Sequence, residues 1–204
     1  MTKDEANILL IRDWVKKLMR NNDTSHDYSH IERVVALSTY LCRKNECADI
    51  FLTECIALLH DVKDDKLEAT VTDIQLEGFL RELGLFDEQI QFILHGINAI
   101  SFRKQPKLPA NTPIEVKIVQ DADRIDAIGA IGVARAFAFA GHKKNPLGPN
   151  GDNNAIQHFN DKLFLLFDLL NTPAAQKIAK RRVEFLHLFY NEFMYEIEEQ
   201  KWNE

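Results

Sequence analysis

The chain has 204 residues, 46% of them hydrophobic, three cysteines and a formal net charge of -6. That length and apolar content suffice for a proper core, and a single domain over residues 1–204 is expected, with its core over roughly 24–140 and C-terminal helices over 154–200 packed on it. An acidic chain with an isoelectric point near 5.7 argues against a surface built to coat nucleic acid, but a local Lys/Arg cluster can still face a small phosphorylated molecule.

Ile8, Leu9, Ile11, Trp14, Val15 and Leu18 recur at helical spacing and predict a first helix ending near Asn21 and Asn22. After the polar connector NNDTSHDYS, Ser29 and Glu32 have capping-box spacing, and Ile31, Val34, Val35, Leu37, Tyr40 and Leu41 carry a second helix to about Lys44. A third runs from a cap at Asp49 through Phe51, Leu52, Ile56, Leu58 and Leu59 to His60 and Asp61. Apolar on nearly every side, it belongs at the centre of a bundle. Thr70 or Thr72 opens a fourth helix that Gly84 stops, and Asp87 opens a fifth containing Ile90, Ile93, Leu94 and Ile97.

Residues 101–112 form a basic loop with two prolines. Thr112, Pro113 and Glu115 then combine a cap, a first-turn proline and a capping box at the start of a helix that reads on through Ala138. Glycine inside a helix costs about 1 kcal/mol relative to alanine, so Gly129 and Gly132 predict close packing or a nearby ligand. Residues 141–154 are turn-rich and suit a lid or an ordinary surface loop. A helix over about 155–170 and a long last one to about Glu198 complete an all-α bundle; no alternating run is long enough for a strand.

Cys42, Cys47 and Cys55 lack metal-site spacing and read as packed thiols of a reducing compartment. The opening MTKDEANILLIRDWVKK does not read as a signal peptide, and no run reaches the roughly 18 apolar residues of a membrane span. A cytoplasmic protein with neither membrane nor nucleic-acid partners is expected.

The chemistry starts from residues 118–135, IVQDADRIDAIGAIGVAR. Ile118, Ala122, Ile125 and Gly129 share one helical face, which turns at least one of Asp121, Asp123 and Asp126 toward the core. An unpaired buried carboxylate costs several kcal/mol, so a cation must answer it. Arg124 is one answer; a metal ion shared with ligands from elsewhere is another. His30 starts one predicted helix, His60 and Asp61 end a second, His95 lies in a third, and Asp123 sits in the acid-rich one. Imidazole nitrogen with carboxylate oxygen suits Mn, Fe, Co, Ni, Zn or Mg.

In the contexts SHDYSHIERV, ALLHDVKDD and IVQDADRIDAIGA, the order His, His-Asp, Asp resembles the HD superfamily of metal-dependent phosphohydrolases, most of all the small single-domain bacterial branch with HDxxH in its first motif. The resemblance covers most of the chain. It implies that His30, His60, Asp61 and Asp123 bind one divalent metal ion, Asp123 rather than Asp121 because the family's last ligand stands in patterns like ADRL, here ADRI. It also implies a metal-activated water that attacks the phosphorus of a phosphate ester or anhydride, most often in a nucleotide, as a pyrophosphohydrolase or phosphatase. His26, Asp27 and His95 would then orient or protonate the substrate, and Arg33, Lys63 and Arg124 would neutralise phosphate charge. Asp64 or Asp65 would act as base or as acceptor for a ligand imidazole. His142, His158 and His187 read as structural or exposed. Lys177, Lys180, Arg181 and Arg182 read as a solvated helix face, with a homodimer contact as the alternative. Two rival functions stay open: a non-catalytic metal- and nucleotide-binding sensor, and a cyclic-nucleotide phosphodiesterase.

Overall fold

The computed structural model describes residues 1–20, 28–45, 48–63, 71–100, 107–149 and 154–199. Among them every regular element is helical, so the fold is all-α. The expectations for Cys47 and for residues 101–106 and 150–153 lie outside the described residues. The chain divides into two compact units, Met1–Ala122 and Asp123–Glu204.

The first unit holds α1 (Lys3–Leu18), α2 (Tyr28–Lys44), α3 (Ile50–Leu59), α4 (Asp73–Glu82), α5 (Asp87–Ile100) and most of α6 (Ile114–Asp126). Helix α3 is its centre. Cys55, Ile56, Ala57, Leu58 and Leu59 are all fully buried, and α1, α2 and α5 pack around them. Each Leu or Ile so buried contributes about 2 kcal/mol. The expected Asp49 cap is present, its carboxylate accepting from Leu52 N at 2.9 Å. Burial raises the Cys42 thiol and pushes the Cys55 thiol well above the usual range, in keeping with packed, unreactive side chains.

Local signals explain the ends of several helices. Thr2 and Glu5 form a capping box on α1, and Thr72 and Gln75 form one on α4. Gly84, past the end of α4, has a φ of 71°, as its predicted stop position requires. Lys3 Nζ donates to the Gly84 carbonyl at 2.7 Å, and Trp14 stacks on Phe79 at 4.4 Å, so α1 is fastened to α4 at two points. The apolar stripe of α1 is narrower than expected: Ile8, Ile11 and Val15 are buried, whereas Leu9 is half exposed.

Two expected capping boxes are not used. Helix α2 begins at Tyr28, which puts Ser29 inside it, and the Ser29 hydroxyl accepts from Arg33 Nη1 at 2.9 Å. Glu115 does not turn back on Thr112; its carboxylate accepts from Asp49 N at 2.9 Å and so serves the start of α3.

The second unit contains α7 (Gly129–His142), α8 (Gln157–Asp161), a 3-10 turn at Leu163–Leu165 and α9 (Pro173–Glu199). What reads as one helix through Ala138 is broken after Asp126, and α7 starts afresh with Gly129 at a φ of 79°. A Cβ at Gly132 would lie 2.2 Å from the Ala127 carbonyl oxygen, so close backbone approach is what this glycine permits. The continuous helix expected over 155–170 is likewise a short helix and a 3-10 turn. Packing overrides helical periodicity there: Phe159 is fully buried against Phe137 and Phe189, and Phe164 stacks on His187 at 4.3 Å. No single helix among the described residues is long and apolar enough to cross a membrane.

Candidate metal centre

Helix α2 presents His30 in its first turn, and α3 ends on His60, with Asp61 in the turn that follows. Because α2 packs on α3, these two ends bring His30 together with the adjacent pair His60 and Asp61, some 30 residues later in sequence. His30 Nε2 stands 3.4 Å from Asp61 Oδ2, and His60 Nε2 stands 3.4 Å from Asp61 Oδ1. The two imidazole rings meet edge to face with centroids 5.3 Å apart. One ligand atom from each residue lies within 4.8 Å of the others. The histidines are buried, while Asp61 keeps 21% of its side chain accessible, so the cluster has a wall and an opening.

The donor chemistry fits a divalent cation. A charge-assisted N–H···O bond would be about 2.7–2.9 Å, shorter than either contact. Donors about 2.1 Å from one ion are separated from each other by about 3.0–3.4 Å in octahedral or tetrahedral geometry, which both contacts match. His60 Nδ1 lies 2.8 Å from the Ala57 carbonyl oxygen. A carbonyl only accepts, so Nδ1 carries the proton, and in the neutral ring Nε2 holds the lone pair that faces Asp61.

The other expected site residues fall in several places. Arg33 is half-buried on α2, one turn beyond His30. His95 is exposed on α5, one turn before Asn98. Lys63 does not stand open: its ammonium donates to Asp73 and, at 2.7 Å, to the Asn98 amide oxygen. Asp123 is half-buried on α6. His26, Asp27, Asp64 and Asp65 lie outside the described residues. His142, His158 and His187 are exposed.

The acid-rich helix finds its cation within the chain. Asp126, with 1% of its side chain exposed, accepts from Arg135 Nη1 at 3.0 Å. Arg124 is buried and donates to the Leu169 carbonyl. Sequence reasoning did not find Arg135, Asp73 or Asn98. Arg135 is nine positions from Asp126, and Asn98 is 35 from Lys63, spacings that carry no local signal.

A family model for the HD domain matches residues 27–128, which span His30, His60, Asp61 and Asp123. The chain belongs to the HD domain family. It is 43% identical over 184 residues to YpgQ of Bacillus subtilis (strain 168), covering 88% of each chain. The crystal structure of Bacillus subtilis YpgQ in complex with ADP is similar with a TM-score of 0.82 at 38% identity, covering 93% of this chain and 97% of that one. An HD-superfamily hydrolase from Bacillus thuringiensis is similar with a TM-score of 0.75 at 34% identity, covering 96% and 98%. The HD-domain protein described here is thus a hydrolase of that superfamily, and its His30–His60–Asp61 group is one that can hold a divalent metal.

Proposed function

We propose that this HD-domain protein is a metal-dependent phosphohydrolase that cleaves a phosphate ester or anhydride in a nucleotide, as a pyrophosphohydrolase or a phosphatase. The observation that carries the proposal is the cluster in which two imidazole nitrogens each stand 3.4 Å from an oxygen of one carboxylate, with His60 Nδ1 committed to Ala57. The ADP held by YpgQ supports the nucleotide class. Asp123 is the fourth ligand in this reading, on the strength of its motif.

A divalent cation in that cluster supplies Lewis acidity toward a phosphoryl oxygen and toward water. The chain's own residues do the rest. His30, His60 and Asp61 fix where the reacting phosphoryl group is held, and the opening beside Asp61 admits it. Arg33, which donates to the Ser29 hydroxyl, is assigned to neutralise phosphoryl charge. His95, exposed on α5, is assigned to hold or move a proton at the leaving oxygen, together with His26 and Asp27 of the first motif. Asp64 is assigned as a base. Lys63 already has Asp73 as its counter-charge, which favours a positioning role over a phosphate contact. In this reading residues 1–204 act as one functional domain.

The test is elemental analysis of the purified protein, followed by phosphate and pyrophosphate release from a nucleotide panel with Mn, Mg, Co or Ni added. About one metal per chain, and release that disappears in His60→Ala without loss of fold, is the expected result. No metal in either the purified or the reconstituted protein would sink the reading. Metal without turnover of any nucleotide would replace the hydrolytic reading with a sensor.

A further inference from the structure

Lys63 follows the metal-site residue Asp61 by two positions, and three helices converge on it. Its ammonium donates to Asp73, the first residue of α4, and to Asn98 in the last turn of α5. Two backbone bonds lie beside these contacts. Val62 N donates to the Leu59 carbonyl at 3.2 Å and closes the turn that contains His60 and Asp61. Val71 N donates to the Val62 carbonyl at 3.1 Å, and both valines are buried. The backbone just beyond Asp61 is therefore tied to the end of α3, to the start of α4 and to α5.

We propose that Lys63, Asp73 and Asn98 form a clamp that positions the metal ligand Asp61, with Asn98 and Asp73 as its anchors. The inference rests on the metal reading given above and assigns Lys63 a different task from neutralising phosphate. Its physical ground is the tolerance of coordination. Metal–ligand distances hold to within about 0.2 Å, so a turn that drifts by a fraction of an ångström moves Asp61 out of reach of a cation shared with His30 and His60. An exposed ion pair alone is a weak tether. Here the same ammonium has a second, neutral partner on another helix, and buried backbone bonds flank it. Lys63 itself has only 22% of its side chain accessible.

The clamp is tested with Mn²⁺ alone, titrated into metal-free wild type, Asn98→Ala, Lys63→Met and the double variant, with amide exchange at Val62 and Val71 read on the metal-free proteins. Each single variant is expected to weaken Mn²⁺ binding by about three- to tenfold, at or below the low end of what loss of an outer partner does to metal sites. Each should also speed exchange at both valines. The double variant should be no weaker than Lys63→Met, because Asn98 acts through Lys63. Unchanged exchange in Asn98→Ala overturns the clamp. Unchanged Mn²⁺ affinity in Lys63→Met with a raised KM for nucleotide also overturns it and returns Lys63 to the phosphate. Wild type that takes up no Mn²⁺ overturns the metal reading and this inference with it. Exchange tells the two failures apart, since only a failed clamp leaves it unmoved.

Discussion

Asp61 and Asp126 both stand at the C-terminal end of a helix, where the backbone dipole disfavours a negative charge. Their surroundings differ in kind. Asp126 is sealed and faces a guanidinium at 3.0 Å, so its charge is balanced by the chain itself. Asp61 is partly open and is flanked by two imidazoles, one of which turns an unprotonated nitrogen toward it when neutral. An acid sealed against a guanidinium contributes to the fold; an acid grouped with two imidazoles beside an opening has the donor set that a divalent cation takes.

That contrast can be broken by exchanging charge for shape. Asp61→Asn is expected to weaken Mn²⁺ binding by more than about a hundredfold while changing the stability of the metal-free protein by less than about 1 kcal/mol. Metal titration and chemical denaturation of the same samples check both halves. A large loss of metal-free stability would instead class Asp61 with Asp126 as structural. Arg135→Met should do the reverse, costing about 3 kcal/mol by leaving a buried carboxylate uncompensated, with metal content unaltered. Denaturant midpoints and elemental analysis decide that case. The smallest effect belongs to Asp49, an exposed acid whose partner is a backbone N–H: Asp49→Ala should cost about 1 kcal/mol, seen as a shift in the denaturation midpoint with metal content unchanged.

Much of this arrangement is legible in the sequence, and for a physical reason. Asp49, Thr72 and Gly84 act within three or four residues of themselves, so the sequence window that predicts them contains their partners. His30, His60 and Asp61 were legible through their motif context and meet because the apolar face of α2 packs on a helix apolar almost all round. The break after Asp126 was not legible. Gly129 and Gly132 mark the place but are equally compatible with a closely packed continuous helix, and what accompanies the break is tertiary: Arg182, 57 positions from Ile125, donates to the Ile125 carbonyl at 2.6 Å. Likewise, the basic side chains near the site looked alike in sequence. Only the fold gives Lys63 to Asp73 and Asn98, and Arg124 to a carbonyl.

The fastening of α1 to α4 has a consequence for the order in which the first unit assembles. The Lys3–Gly84 bond joins residues 81 positions apart, whereas α2 and α3 are near neighbours along the chain. Closing so long a loop loses chain entropy that only completed docking returns. Helix α1 should therefore dock late, onto a unit whose α2–α5 contacts already exist. In the native protein it should also be the first part to open, so that its amides exchange at denaturant concentrations where those of α3 are still protected.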